Sequence, residues 1–367
     1  MNSNLLNILN TNAAQLLKHL IAIPSLSKEE NKTADLVQDF LNKNHVSPKR
    51  LLNNVWCVNK YFDKAKPTIL LNSHHDTVAA NSKYTRDPYI PEITDGRLYG
   101  LGSTDAGASL VSLVAAFLYF YGEENLNYNI VFAATAEEEI SGINGIEKLF
   151  NEENFKAQFA QPGSFAIVGE PTQLELAIAE KGLMVLDCTV HGIPGHAARE
   201  EGDNAVYKAM KAIDWFKTFQ FPKVSELLGA IKMSVTSVQT ENKAHNIIPA
   251  SCSFVADVRV TELYSHEEIL KIIGENIDAD VEPRSMRLTS SFIAKDHPVV
   301  QAGIKLGKQT YGSPTLSDCA LIPIPSLKCG PGNSAQSHSA DEFVALEDIE
   351  DGIGFYVQLL ESLNKDG

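Results

Sequence analysis

His74-x-Asp76, Asp105, the pair Glu138-Glu139, Glu170 and His338 supply, in that order along the chain, side chains suited to hold two adjacent divalent cations beside a carboxylate base. Such cations take imidazole nitrogen and carboxylate oxygen. A catalytic pair also needs one shared ligand and a side left open to water and substrate. A lone His74 would more often be an ordinary packing or surface histidine. In His-x-Asp at a strand end, however, Asp76 can accept the imidazole N–H that is not on the metal, fixing the tautomer and raising ligand basicity. His75 faces the other side of the strand by the two-residue alternation and reads as structural. Asp105 after Gly100-Leu101-Gly102-Ser103-Thr104 has the ordinary reading of a helix N-cap, and only the whole constellation makes it a bridge between two cations. Glu137, Glu138 and Glu139 could form a solvated acidic turn, but against a buried strand they repel unless cations or protons compensate. One of them should bind metal and one should handle protons.

The elements that must position these groups are legible as strands ending in acid or histidine. TILLNSHHD (68–76), NIVFAATAEEE (129–139) and SFAIVGEPT (164–172) each read as a buried strand running into a motif. Between the first two lies AGASLVSLVAAFLYFYG (106–122), a strongly apolar helix, so strands and helices alternate as in a doubly wound α/β sheet. Sites in such sheets gather at strand C-termini, where the motifs fall. Two helices are expected before the first strands, the second opened by Ser27-x-x-Glu30 as a capping box.

From about Lys181 the pattern changes. LMVLDCTVHG (strand), DNAVYKAMKAIDWFKTF (helix, with Asp203 as a possible cap), AIKMSVTSVQT and ASCSFVADVRVT (strands), SHEEILKIIGENI (helix) and SMRLTSS (strand) give the order β-α-β-β-α-β. That is a ferredoxin-like α+β arrangement, and it is an insertion because His338 lies beyond it. The expected organisation is a catalytic metal-binding domain with a mixed sheet over 1–181 and 292–367, and an inserted domain over 182–291. A helix over 298–311, a strand SLKCG and a helix over 346–363 should complete the first domain.

A length of 367 residues exceeds one usual core, in agreement with two domains. Acidic residues exceed basic ones by 15 and no basic stripe appears, which argues against nucleic acid as a partner. Five cysteines without a C-x-x-C pair read as reduced packing residues. No signal-peptide pattern opens the chain and no apolar stretch reads as a membrane span, so a cytoplasmic protein away from membranes is expected.

With these motifs in order, the chain resembles the di-zinc acylase and exopeptidase family that includes acetylornithine deacetylase, succinyl-diaminopimelate desuccinylase, aminoacylase and glutamate carboxypeptidase. The family's His-x-Asp, its Asp after a Gly-rich run, its Asp-Glu-Glu, its Glu-Pro-Thr and its late His before an acidic pair match His74–Asp76, Asp105, Glu137–Glu139, Glu170–Thr172, and His338 with Asp341-Glu342. The resemblance implies His74, Asp105 and Glu170 around one zinc, Asp105, Glu139 and His338 around the other, and Glu138 as general base; cobalt or manganese would also suit these ligands. It implies that His196, in Ile193-Pro194-Gly195-His196-Ala197, stabilises the oxyanion in the active site of a partner subunit, hence a homodimer with the insertion over 182–291 as its dimerisation (lid) domain. Asn246 and Arg259 resemble the family's substrate-carboxylate contacts, with Lys181 and Asn333 as weaker candidates. Ser73, Ala106-Gly107-Ala108 and Glu137 stand where the family often carries Gly, Met-Lys-Gly and Asp, and the longer Glu137 bears on how Glu138 is aimed. The implied activity is hydrolysis of the acyl amide of a small N-acyl amino acid. The compact length and the EEEISG and GEPT sequences point first to N2-acetylornithine in arginine biosynthesis. N-acetylcitrulline, N-succinylornithine or N-succinylcitrulline, succinyl-diaminopimelate, a di- or carboxypeptidase activity and a non-catalytic relative are the alternatives.

Overall fold

The computed structural model describes residues 3–199 and 201–365, and the chain forms two compact units. One comprises the chain to Ile178, Phe292–Tyr311 and the part from Ser317; the other comprises Ala179–Ser291 with Gly312–Leu316. The larger sheet is mixed. Its strands run in the order Lys49–Leu51, Asn54–Val58, Asn129–Thr135, Thr68–His74, Phe165–Val168, Ser326–Lys328, Leu176–Glu180 and Ser291–Phe292, with Thr310–Ser313 beside Leu176–Glu180. Four central neighbours, from Asn129–Thr135 to Ser326–Lys328, are parallel, and Asn54–Val58 is antiparallel to them. The fold is α/β.

Parallel strands must be covered on both faces, and every residue of Thr68–His74 and Asn129–Thr135 is buried. On one face Leu70, Val131, Ala133, Ala166 and Val168 pack against Phe150, Phe155 and Phe159. On the other, the helix Ser109–Phe120 lies close to Gly169, where a Cβ would come within 2.7 Å of Leu113 Cδ1 and 2.9 Å of Ser109 Cβ. This helix is apolar nearly all round, as full burial demands. The stretch Ser103–Phe120 is in fact long and apolar enough to cross a membrane, contrary to the expectation from sequence, but 78% of it is buried, which marks a core helix.

The smaller unit contains a sheet in the order Lys232–Gln239, Ser251–Val260, Gly182–His191, Asp280–Pro283, all antiparallel. With helices Ala205–Thr218 and His266–Asn276 it has the ferredoxin-like strand order. Met184, Leu186, Cys188 and Val190 alternate inward with Cys252, Phe254, Ala256 and Val258, giving one apolar face.

Four local expectations are corrected. The fourth strand is Asp280–Pro283, not SMRLTSS; it lies at the sheet edge, where Pro283 needs no ladder N–H. The helix begun at Pro298 stops at Lys305, because Gly307 turns left-handed (φ 87°) and the chain re-enters the sheet. Asn204, not Asp203, caps Ala205–Thr218, its side chain accepting the Val206 N–H. Ser27 and Glu30 form no capping box: the helix Asn31–Lys43 follows Glu30 without a side-chain cap, and both side chains serve the site loops. The same S-x-x-E pattern at Ser265–Glu268 is a capping box, with both reciprocal bonds present.

Before the core helix the chain makes an irregular turn over Ser103–Ala108, and the Asp105–Ala106 peptide is cis. Gly102 (φ 76°) supplies the left-handed step, and the Gly107 N–H donates to Gly102 O at 3.0 Å. A Cβ at Gly107 would stand 2.3 Å from that same backbone oxygen and 2.5 Å from Leu17 Cδ1. Gly107→Ala should therefore destabilise the fold by about 1–3 kcal/mol, the usual cost of overpacking. A thermal melt of the chelator-treated protein measures this, and an unchanged melting temperature would show that the turn yields freely.

Candidate metal centre

Adjacent parallel strands bring their C-terminal ends to one edge of the sheet, and this delivers most of the cluster. His74 ends its strand, Glu138 and Glu139 follow Thr135 closely, and Glu170 lies two residues past Val168. Asp105 comes from the turn before the core helix, and His338 (φ 58°) from the loop after Ser326–Lys328.

His74 Nε2 lies 3.3 Å from Asp105 Oδ1, 3.8 Å from Glu170 Oε1 and 3.9 Å from Glu138 Oε2. His338 Nε2 lies 3.0 Å from Glu139 Oε2 and 3.5 Å from Asp105 Oδ2. One ligand atom each from His74, Asp105 and Glu170 falls within 4.8 Å of the others, and the same holds for Asp105, Glu139 and His338. Donors held at about 2.0–2.2 Å around one tetrahedral ion are separated by roughly 3.3–3.6 Å, so both sets suit a divalent cation. Asp105 presents one oxygen to each set and joins them.

The cluster is strongly self-repelling without cations. Burial pushes the Glu170 carboxyl up to about 8, with His74 opposing and Asp105 and Asp318 adding to the rise. Burial likewise drives Glu138 well above the usual range, against His74 and with Glu170, Asp318 and Glu139 reinforcing it. The hydrogen bond to Glu139 raises His338 to about 9. For His74, burial favours the neutral ring, but Glu138, Asp105, Asp76 and Glu170 outweigh it and raise the imidazole well above its ordinary value.

Carboxylates outside the ligand sets hold the loops by accepting backbone N–H groups. Asp76 Oδ1 stands 3.3 Å from His74 Nδ1 and accepts the Glu138 N–H at 3.1 Å; Oδ2 accepts the Glu139 N–H at 3.2 Å and the Ser27 hydroxyl at 2.7 Å. Burial would raise Asp76, yet hydrogen bonds from His74 and Ser27 hold it below the ordinary range. Asp76 therefore anchors the glutamate turn as well as the imidazole. Glu342 does the same for Asp105: its carboxylate accepts the N–H groups of Gly102 (3.0 Å), Thr104 (2.8 Å) and Asp105 (3.0 Å), and Ser337 Oγ donates to Asp105 Oδ2. Asp341 accepts from the Thr85 and Arg86 N–H groups beside it. Glu137 turns away from the centre to accept Asn144 Nδ2 at 2.9 Å, while the buried Glu30 accepts the Glu137 N–H at 3.1 Å. His75 is buried between Thr33 Oγ1 and Asn53 O, and burial lowers it to about 4, so it is neutral.

Asp318 lies in the loop that follows Thr310–Ser313. It is buried, accepts Asn72 Nδ2 at 2.8 Å and Thr135 Oγ1 at 2.7 Å, and burial pushes it up to about 6. Glu342 belongs to the acidic pair after His338 and Glu30 to the Ser27-x-x-Glu30 pattern, but neither signal reveals the backbone N–H groups they accept, and Asp318 carries no local signal beyond an acid in a loop. Asn333, exposed, pairs with Thr172 near Glu170 and accepts the Ala335 N–H.

The remaining candidates belong to the smaller unit. His196 is exposed, in a short pairing of Gly195–His196 with Ile247–Ile248, and the Asn246 carbonyl accepts the Ala197 N–H at 3.0 Å. Arg259 is held in a two-bond clasp by Asp257 at 2.8 and 3.0 Å, and Lys181 Nζ donates to Ala230 O at 2.9 Å.

Comparison with known proteins agrees with this geometry. The family model described as peptidase family M20/M25/M40 matches residues 70–362. The chain is 29% identical over 273 residues to a succinyl-diaminopimelate desuccinylase of Cereibacter sphaeroides, covering 71% of this chain and 70% of that protein. It is 23% identical to the succinyl-diaminopimelate desuccinylase of Delftia acidovorans, over 96% of this chain and 98% of that one. Among solved structures, the aminopeptidase PepT of Bacillus cereus superposes with a TM-score of 0.76 at 20% identity, covering 97% and 99% of the two chains. YXEP of Bacillus subtilis, a dinuclear metal-binding peptidase, superposes with a TM-score of 0.73 at 15% identity, covering 98% and 99%. At such identities the structural likeness is one of fold.

Ligation requires Glu170 ionised and His338 neutral, and below pH about 8 and about 9 respectively both carry their protons in the metal-free chain. Metal uptake at pH 7 should therefore release protons, and apparent affinity should rise with pH through that window. Calorimetry of zinc uptake in two buffers of different ionisation enthalpy reads this directly, and a heat independent of the buffer would contradict it.

Proposed function

The chain belongs to peptidase family M20/M25/M40 and is a metal-dependent amide hydrolase, and from that premise we propose that it removes the acyl group from an N-acyl amino acid, with N-succinyl-diaminopimelate as the leading substrate. The observation that carries the reading is the pair of donor sets sharing Asp105, with Glu138 beside them. The names of the relatives favour succinyl-diaminopimelate over N2-acetylornithine, the substrate the sequence motifs suggested first. N2-acetylornithine is the second reading, supported by the EEEISG and GEPT sequences.

In this reading His74, Asp105 and Glu170 hold one ion and Asp105, Glu139 and His338 the other, with zinc assigned and cobalt or manganese tolerated. Bound divalent cations acidify water toward neutral pH and polarise an amide carbonyl. Glu138, raised by burial and by its acidic neighbours, accepts the proton of the attacking water and returns it to the leaving amine. His196 of a partner subunit donates to the oxyanion, so the active protein is a homodimer. Asn246 and Arg259 receive the substrate carboxylate; the Asp257 clasp fixes the plane of Arg259 and leaves further N–H groups to donate. Lys181 and Asn333 are secondary contacts.

Primary-amine release from succinyl-diaminopimelate, acetyl- and succinyl-ornithine, acetyl- and succinyl-citrulline and a dipeptide, with zinc or with chelator, tests the assignment. Chelator-sensitive cleavage of the diaminopimelate derivative is expected. Cleavage of acetylornithine instead selects the second reading, while cleavage of the dipeptide alone rejects acyl hydrolysis.

Glu138→Gln and His196→Ala should each lower kcat by at least about a hundredfold with both ions retained, as loss of a proton carrier or an oxyanion donor does. If the histidine crosses to the partner, subunit exchange between these two variants should restore about a quarter of parental turnover, since half the dimers are mixed and each has one intact site. No recovery on mixing would overturn the crossing of His196.

A further inference from the structure

The mechanism leaves unused one buried carboxylate close behind the metal centre. Asp318 is 3% exposed and opens the tight turn Asp318–Leu321. Asn72 lies two residues before His74 on the same strand, so its side chain shares the face of the imidazole; Thr135 stands opposite His74 in the parallel register. Accepting from both, Asp318 sits next to His74 on that face of the sheet. Cys319 and Ile322 of the same segment pack with Leu70, Val131 and Val168 in the core on that face.

Two neutral donors do not replace the hydration of a carboxylate, and among the described residues no Lys or Arg forms an ion pair with Asp318. The ionisable groups facing it are His74 and the acids Asp76, Glu138 and Glu170. A further anion beside so many buried carboxyl groups is unfavourable in the metal-free protein. It becomes favourable when divalent cations fill the cluster above it.

We propose that Asp318 is a positioning residue for the metal pair, a buried counter-charge whose place in the fold stabilises the loaded centre at the expense of the empty one. The inference rests on the metal-centre reading given above. It makes Asp318 a determinant of metal affinity without touching either ion, acting through charge and through the Asn72–Thr135 pair that shares the His74 face.

The test is Asp318→Asn, whose amide oxygen can still accept from Asn72 and Thr135 while the charge is gone. The metal-free variant should melt at or above the temperature of the metal-free parent. Its zinc affinity, read by competition with a chelating indicator, should fall on the order of tenfold to a hundredfold, the usual effect of altering groups behind the ligands. The rise in melting temperature on adding metal should shrink accordingly. A purely structural role would move the first quantity the other way. Parental zinc affinity in the variant would overturn the proposal. Asp318→Ser is the second variant: if both lose the fold without metal, Asp318 is a structural support and the proposal is again overturned. Failure of the parent protein to take up zinc would instead reject the metal-centre reading itself.

Discussion

Mutual repulsion among carboxylates held out of water is the constraint on which the rest of this structure depends. Asp105, Glu138, Glu139 and Glu170 converge with two imidazoles, and Asp76, Asp318 and Glu342 crowd behind them. The fold handles these anions in two ways. The converging set is left for divalent cations to neutralise, whereas Asp76 and Glu342 are turned into acceptors for backbone N–H groups. Hydrogen bonds to charged groups contribute about 1.5–3 kcal/mol each, so five such bonds to loop N–H groups are enough to dictate loop shape. Glu137 and His338 adopt left-handed backbone conformations that cost about 1–3 kcal/mol for non-glycine residues. The carboxylate-to-backbone bonds at Glu138 and Glu139, and the Glu30 bond to Glu137 itself, offset that strain.

The fold was legible wherever burial imposes a period. Runs rich in apolar residues gave the central parallel strands and the core helix, and two-residue alternation gave strands of the smaller unit. Local signals failed where tertiary partners compete for the same side chain. Ser27-x-x-Glu30 and Ser265-x-x-Glu268 are the same pattern, yet only the second caps a helix. At the first, the Asp76 carboxylate takes the Ser27 hydroxyl and the Glu137 N–H takes the Glu30 carboxylate, partners that lie 49 and 107 residues away. A charged acceptor outbids a helix end, and no window of local sequence contains it. Asp280–Pro283 was missed for a related reason: a short edge strand ending in proline is specified by its partner strand more than by its own composition.

For the site, residue type pointed to the converging acids and imidazoles but not to the groups that support them. His, Asp and Glu at the ends of buried strands are conspicuous because burial there needs an explanation. Glu342 stands out only as half of the acidic pair after His338 and Asp318 looks like an ordinary loop residue, and only the structure shows the first accepting three N–H groups around Asp105 and the second buried beside His74. Asp76 was read as the partner of the imidazole; its equal share in fixing the Glu138–Glu139 turn depends on chain geometry that spacing does not reveal. The longer Glu137 does not crowd Glu138, because its carboxylate is taken up by Asn144.

The division of labour between two consecutive glutamates follows from that turn. Glu138–Ile140 is a single tight turn of about three residues, in which successive side chains point roughly 120° apart. Two adjacent acids on a strand would point to opposite faces, and on a longer α-helix they would drift around the axis. Here Glu138 projects toward His74 at 3.9 Å while Glu139 projects toward His338 at 3.0 Å. The N–H groups of both donate to one carboxylate, Asp76, which also contacts His74, so the angle between the two glutamates is set from the same point that sets the first imidazole. In the proposed mechanism, this difference in direction is what separates the proton carrier Glu138 from the ligand Glu139. That separation is a property of the turn, since the side chains are chemically identical.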